Sequence, residues 1–214
     1  MRRRFSLLFL ALAALGPALG AGQPASQALP NYSDAQNADL DRISTYLNRL
    51  KTLKAEFSQI DSNGDLTTGT FYLSRPGRLR FEYRPPSPTL VVASSGNIWV
   101  KNARLNTVDR YSLSDTPLEL LLKDKVDLKR NRAIVGVDDA DGAITVHARS
   151  STNRVQGNIT LVFDAGTLEL RQWTVKDSQG LLTTVVLRNV QTGMALPDAL
   201  FTAPQKNPPG KKGG

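Results

Sequence analysis

The chain holds a single histidine, His147, and no cysteine. His147 shares one side of an alternating run with Thr145 and Arg149, opposite Ile144, Val146 and Ala148. That period of two places it on the polar face of a strand, where a solvated surface histidine is the preferred reading over a catalytic one. No Ser-His-Asp arrangement can be argued from a lone histidine so placed, although a nucleophile served by another base stays open. The sequence contains no HExxH, phosphate loop or nucleotide fingerprint. Asp138, Asp139 and Asp141 precede Gly142 and share residue types with a calcium loop. They lack its spacing and closing glutamate, and Asp-Gly is common in hairpin turns, so a turn is expected. Without cysteine, thiol chemistry and cysteine-based metal sites are excluded. Neither an enzyme nor a bound cofactor is expected.

The remaining candidate is Arg75, in the corner Ser74-Arg75-Pro76-Gly77. Pro76 lacks a backbone donor and Gly77 tolerates unusual turn geometry, so the corner is a fixed feature of the chain path. The residues leave two readings of Arg75 open. One is a solvated or salt-bridged rim residue. The other is a latch, since a guanidinium keeps its charge, offers five donors and suits the carbonyls at a helix C-terminus.

Two strands meet at that corner, Leu66–Leu73 and Arg78–Tyr83. In the second, Leu79, Phe81 and Tyr83 alternate with Arg78, Arg80, Glu82 and Arg84, which predicts one apolar and one wet sheet face. Further short strands are expected at Leu53–Ile60, Thr89–Ala93, Ile98–Lys101, Leu105–Leu113, Ala133–Val137, Ala143–Arg149, Asn158–Phe163, Leu168–Lys176 and Leu181–Val190, with turn residues between them. Such an antiparallel meander must curl, so a barrel or half-barrel is predicted.

Two helices interrupt the pattern. Leu40, Ile43, Leu47 and Leu50 recur at threes and fours from Asp34 onward, which predicts one amphipathic helix before the sheet. Ser114 to Lys123 reads as a second, with a cap candidate before Pro117 and leucines at 118, 120, 121 and 122 around most of its circumference. So short a helix is not stable alone and is expected to lie across the mouth of the curled sheet. Trp99, Trp173 and the phenylalanines each read first as core. Together with an apolar sheet face, two apolar helices and no polar catalytic set, they suggest an internal cavity for an apolar ligand.

Charge and leader bound the setting. Three arginines precede the apolar run Phe5–Leu15 and small residues follow it, which reads as a secretory signal peptide over residues 1–21. Residues 22–33 read as a flexible linker, 34–202 as one domain and 203–214 as a disordered basic tail. The formal charge is +8, but three arginines in residues 1–20 and three lysines after Thr202 account for six of it, with no acid in either stretch. A clustered nucleic-acid surface is therefore not expected.

At this point the residues carry a resemblance. The run Gly69 to Tyr83, Leu90-Val91-Val92 followed by Asn97-Ile98-Trp99-Val100, Asp115-Thr116-Pro117 with its leucines, and Leu196-Pro197-Asp198-Ala199-Leu200-Phe201 resemble the outer-membrane lipoprotein carrier (LolA-like) family, in order along nearly the whole mature chain. The resemblance implies an α+β fold, mainly β: an incomplete antiparallel barrel with a helical lid over an apolar cavity. It implies a periplasmic monomer that takes acylated lipoproteins from an inner-membrane ABC transporter. The carrier then shields their acyl chains and passes them to an outer-membrane acceptor or to the outer membrane itself. Arg75 matches the family's lid arginine. The expected site is Arg75 and Pro76 with Phe71, Leu79, Phe81, Leu90, Val92, Trp99, Leu118, Leu121 and Leu122. A shuttle or sensor for free lipids or glycolipids on the same fold is the alternative.

Overall fold

The computed structural model describes residues 30–149 and 157–207. The expected signal peptide, most of the expected linker and the end of the expected tail lie outside the described residues. Helix α1 spans Asp34–Arg49 and opens with a capping box: Ser33 Oγ accepts the Gln36 N–H at 3.2 Å, and Gln36 Oε1 accepts the Ser33 N–H at 3.0 Å. Its stripe Leu40, Ile43 and Leu47 is buried, as the spacing predicts, and Leu50 is buried just beyond its end.

The strands are β1 (Thr52–Ile60), β2 (Leu66–Ser74), β3 (Arg78–Tyr83), β4 (Thr89–Ser94), β5 (Asn97–Asn102) and β6 (Thr107–Ser112). After two short helical turns come β7 (Ile134–Ala140), β8 (Ala143–Arg149), β9 (Asn158–Asp164), β10 (Leu170–Lys176) and β11 (Leu182–Thr192). They form one sheet in the order β6-β5-β4-β3-β2-β1-β11-β10-β9-β8-β7. Every recorded pairing is antiparallel. The chain therefore folds as two meanders, β1–β6 and β7–β11, sealed where β1 meets β11. Irregular registers interrupt β1–β11 between Lys54 and Glu56, β9–β10 between Leu170 and Gln172, and β7–β8 between Ile134 and Gly136. Such bulges bend a strand and raise its twist. The sheet curls but does not close, leaving β6 and β7 as its two edges.

The inner, concave face carries Leu53, Ala55 and Phe57 of β1, Phe71 and Leu73 of β2, and Leu79 and Phe81 of β3. It continues through Ile144 and Val146 of β8, Leu161 and Phe163 of β9, and Trp173 of β10. The α1 stripe packs into the same core.

Several boundaries differ from expectation. Leu105 lies in the turn before β6, where Asn106 takes a φ of +52°. Strand β7 runs on through Asp138 and Asp139, so the turn is confined to Asp141-Gly142. The second helix divides into a 3-10 turn at Leu113–Asp115 and a four-residue helix α2 at Glu119–Leu122. Thr116 closes the first by donating its hydroxyl to the Leu113 carbonyl at 2.9 Å, so Pro117 joins two short turns instead of starting one helix. A 3-10 turn at Asp198–Phe201 carries the C-terminal segment back over the convex side. That segment stays on the sheet as far as Asn207, which accepts from Lys101 Nζ at 2.8 Å and exchanges two hydrogen bonds with Asn106.

Candidate functional site

The corner between β2 and β3 grips the end of α2. Gly77, at a φ of +75°, makes the turn and donates its N–H to the Leu122 carbonyl at 2.9 Å. One Nη of Arg75 donates to the Lys123 carbonyl, while the Arg75 backbone N–H is held by the Lys51 carbonyl at 2.8 Å. The last carbonyls of a helix have no intrahelical partner and carry its negative dipole end, so a cation and an N–H from the corner satisfy them together.

The Arg75 side chain is otherwise poorly served. The residue is only 7% exposed, and its Nε and Nη1 have no hydrogen-bond partner. Burial lowers its pKa from the ordinary arginine value, with the Asp124 charge acting the other way. The group remains a cation, since an arginine does not lose its proton in proteins. A buried charge with most of its donors idle recovers little of its desolvation cost.

Beneath this grip lies an aromatic floor. Phe71 and Phe81 meet tilted at 4.7 Å between centroids, Phe57 meets Phe81 edge-on at 5.2 Å, and Trp173 closes on Phe71 at 5.5 Å. Phe57, Gly69 and Tyr83 are cross-strand neighbours, and a Cβ at Gly69 would fall 2.2 Å from the Glu82 carbonyl and 2.6 Å from the Phe57 ring. Only glycine lets that ring lie flat across β2 towards Tyr83, 5.0 Å away. Tyr83 donates its hydroxyl to Gln59 Oε1 at 2.8 Å, and burial raises its pKa. Leu118, Leu120, Leu121 and Leu122 are buried in the same core cluster as this floor. These leucines share their packing with the sheet's apolar face, and a cleft of about 30 Å³ lies beside Thr116, Pro117, Glu119, Lys123, Arg149 and Ile159.

Beyond the lid the chain is fastened differently. Asn48 Nδ2 donates to the Val126 carbonyl at 2.8 Å, and its Oδ1 accepts the Val126 N–H at 2.8 Å. Ser44 Oγ accepts the Leu128 N–H at 3.0 Å while donating to the Leu40 carbonyl at 2.6 Å. Each of these α1 side chains both donates and accepts a hydrogen bond.

Residues 48–204 match the family described as Outer membrane lipoprotein carrier protein LolA. The chain belongs to the LolA family. It is 32% identical over 172 residues to an outer-membrane lipoprotein carrier protein of Dechloromonas aromatica, covering 76% of this chain and 81% of that one. A protein of the same description from Methylococcus capsulatus is 28% identical over 186 residues, covering 83% and 87%. A solved LolA superfamily protein from Nitrosomonas europaea aligns at a TM-score of 0.41 and 10% identity, over 76% of this chain and 97% of that one. LolA is a carrier family rather than a family of enzymes.

Among the expected LolA site residues, Arg75 and Pro76 form the corner, and Phe71, Leu79, Phe81, Leu118, Leu121 and Leu122 all join the concave core. Leu90, Val92 and Trp99 do not. Glu82 pairs with Leu90, Arg80 with Val92, and Val92 with Trp99, so all three share the convex face with the charged residues of β3. Val92 is buried there beside the C-terminal 3-10 turn, whose Phe201 packs 5.1 Å from the Arg78 guanidinium. The residues of β4 and β5 on the concave side are Val91, Ala93, Ile98 and Val100. Phe57 and Trp173, read from sequence only among the aromatics of a core or cavity wall, lie in the floor, and Asn48 and Ser44, not singled out by sequence, hold the chain that follows α2. Gly69 in an otherwise bulky strand is the signal that points to Phe57. His147 sits on the convex face, between Asp138 Oδ2 at 3.0 Å and Thr160 Oγ1 at 3.2 Å.

Proposed function

We propose that the protein is a periplasmic carrier that buries the acyl chains of lipoproteins against the aromatic floor, beneath the lid formed by residues 113–123. It receives its cargo from an inner-membrane ABC transporter and passes it to the outer membrane or an acceptor there. The observation that carries this reading is the Arg75 corner: a buried cation, largely without partners, holding the end of a four-residue leucine helix over an apolar concave face.

The energetics explain why a carrier needs such a corner. Burying a chain of about sixteen carbons is worth roughly 12 kcal/mol at ~0.8 kcal/mol per methylene. Several chains in an empty preformed cavity would make release too slow for transport. A lid that fills the space with its own leucines must be displaced first, and ligand binds only the open population. Net affinity falls by the cost of opening, which leaves an acceptor able to take the cargo.

The test is a release assay with the purified protein and inner-membrane vesicles bearing a radiolabelled acylated lipoprotein. Soluble one-to-one complexes that disappear when the lipoprotein lacks its acyl groups are expected. No release, together with a tightly co-purifying free lipid, would move the function to lipid shuttling.

A further inference from the structure

Three of the exposed large apolar side chains converge on one spot of the convex face, at the end of the sheet remote from the Arg75 corner. Ile60 closes β1 and is 44% exposed, Leu66 opens β2 at 63%, and Leu182 opens β11 at 48%. Ile60 pairs directly with Leu66 on one side and with Thr184 on the other, and Leu182 lies two residues from Thr184 on the same face. Side chains directly opposite stand about 5 Å apart at Cβ, and diagonal neighbours about 7–8 Å, so the three form one patch. Scattered single leucines need no explanation on a surface, but a contiguous cluster does.

The rim of the patch is acidic. Asp61 and Asp65 flank the β1–β2 turn and Asp177 the β10–β11 turn; none of them makes an ion pair among the described residues. One oxygen each of Asp61 and Asp177 accepts backbone N–H groups of its own turn, which fixes these carboxylates in place. Among the described residues, Lys176 stands directly opposite Leu182, and Arg84, beside Thr68, is paired with Glu56 at 2.9 Å, so the carboxylates around the patch outnumber the cations. A local excess of negative charge on a chain of formal charge +8 stands out against its surroundings.

We propose that this patch is a docking surface for a protein partner, which inserts an apolar loop tip flanked by lysine or arginine. The apolar centre supplies burial, and the carboxylate rim selects a cationic flank and rejects acidic ones. The same rim repels an anionic bilayer surface, which argues for a polypeptide over a membrane. The site is separate from the lid and does not depend on what the concave face carries.

The test is a titration of the isotope-labelled protein, followed by amide chemical shifts, with three short peptides: Lys-Leu-Phe-Leu-Lys, its Glu-flanked counterpart and Lys-Ser-Gly-Ser-Lys. The Lys-flanked apolar peptide is expected to shift the amides around Ile60, Leu66 and Leu182. It should bind about tenfold more tightly than the Glu-flanked one and more weakly as salt rises. The double substitution Leu66→Ser with Leu182→Ser should remove about tenfold or more of that affinity. Asp65→Asn, at an exposed turn position, should weaken it less, and both variants should keep the wild-type Tm. Equal binding of the Lys- and Glu-flanked peptides, shifts mapping elsewhere, or no binding would overturn the proposal. So would a dimer abolished by Leu66→Ser, or adsorption to anionic vesicles through the same residues, since each names a different occupant.

Discussion

Two of the fastenings on the segment between β6 and β7 are opposites. At Lys123 it is held by a buried guanidinium that uses one Nη and leaves Nε and Nη1 idle. At Val126 and Leu128 it is held by neutral side chains, Asn48 and Ser44, each of which both donates and accepts. A neutral side chain paired twice with one residue's backbone is expensive to remove where water is largely excluded, because each broken bond strands a polar group; Asn48 is half-buried and Ser44 buried. A half-satisfied charge gains hydration when it leaves, which offsets the lost bond. Three residues apart, the chain passes from a half-satisfied charged contact to a paired neutral one. On the carrier reading proposed above, residues 113–123 act as the lid and Asp124-Lys125 as its hinge.

That contrast can be broken by substitution. Asn48→Leu should have the largest effect on stability, about 2–4 kcal/mol, because it strands both the N–H and the carbonyl of Val126. In a domain of this size that lowers Tm by roughly 4–16 °C in a thermal melt. Ser44→Ala strands only the Leu128 N–H and should cost about 1–2 kcal/mol by the same measurement. Arg75→Leu should change stability by less than about 1 kcal/mol in either direction, since it removes a costly buried charge along with its bond. Its effect should appear in transfer instead: lipoprotein is loaded, and its release to acceptor membranes slows. Unchanged loading with an unchanged transfer rate would remove Arg75 from the mechanism. If Arg75→Leu cost as much stability as Asn48→Leu, the two fastenings would not differ in kind. Lys129→Ala, which breaks an exposed pair to Asp41 beside the hinge, should cost no more than about 0.5 kcal/mol.

How much of this could be read from sequence follows from which contacts are local. The β3 alternation and the Pro76-Gly77 corner are local, so the two faces of β3 were legible; that the C-terminal turn covers Arg80 on the outer one, with Leu200 accepting from it at 3.3 Å, was not. The run Leu90-Val91-Val92-Ala93 has no alternation, because Phe201 returns to cover the outer face of β4. Nothing within that strand tells Val91 from Val92. A run buried on both sides loses its period, and only the register restores it. Pairing between β1 and β11 joins residues more than a hundred positions apart, and Asn48 meets Val126 across seventy-eight. An asparagine on a helix announces no such partner. The leucines of α2 did announce burial, but Pro117 suggested a helix start two residues too early.

Hydrogen exchange on the wild-type protein and on Arg75→Leu tests the central claim most directly. In the wild type, the amides of Leu120 to Lys123 should exchange through an opening cheaper than global unfolding, while those of Val126 and Leu128 should be protected to the global limit. In the variant, exchange at 120–123 should accelerate and exchange at 126 and 128 should stay unchanged. A lid and hinge that exchange together, or a variant that loosens both equally, would contradict a latch at Arg75 working against a fixed clamp on α1.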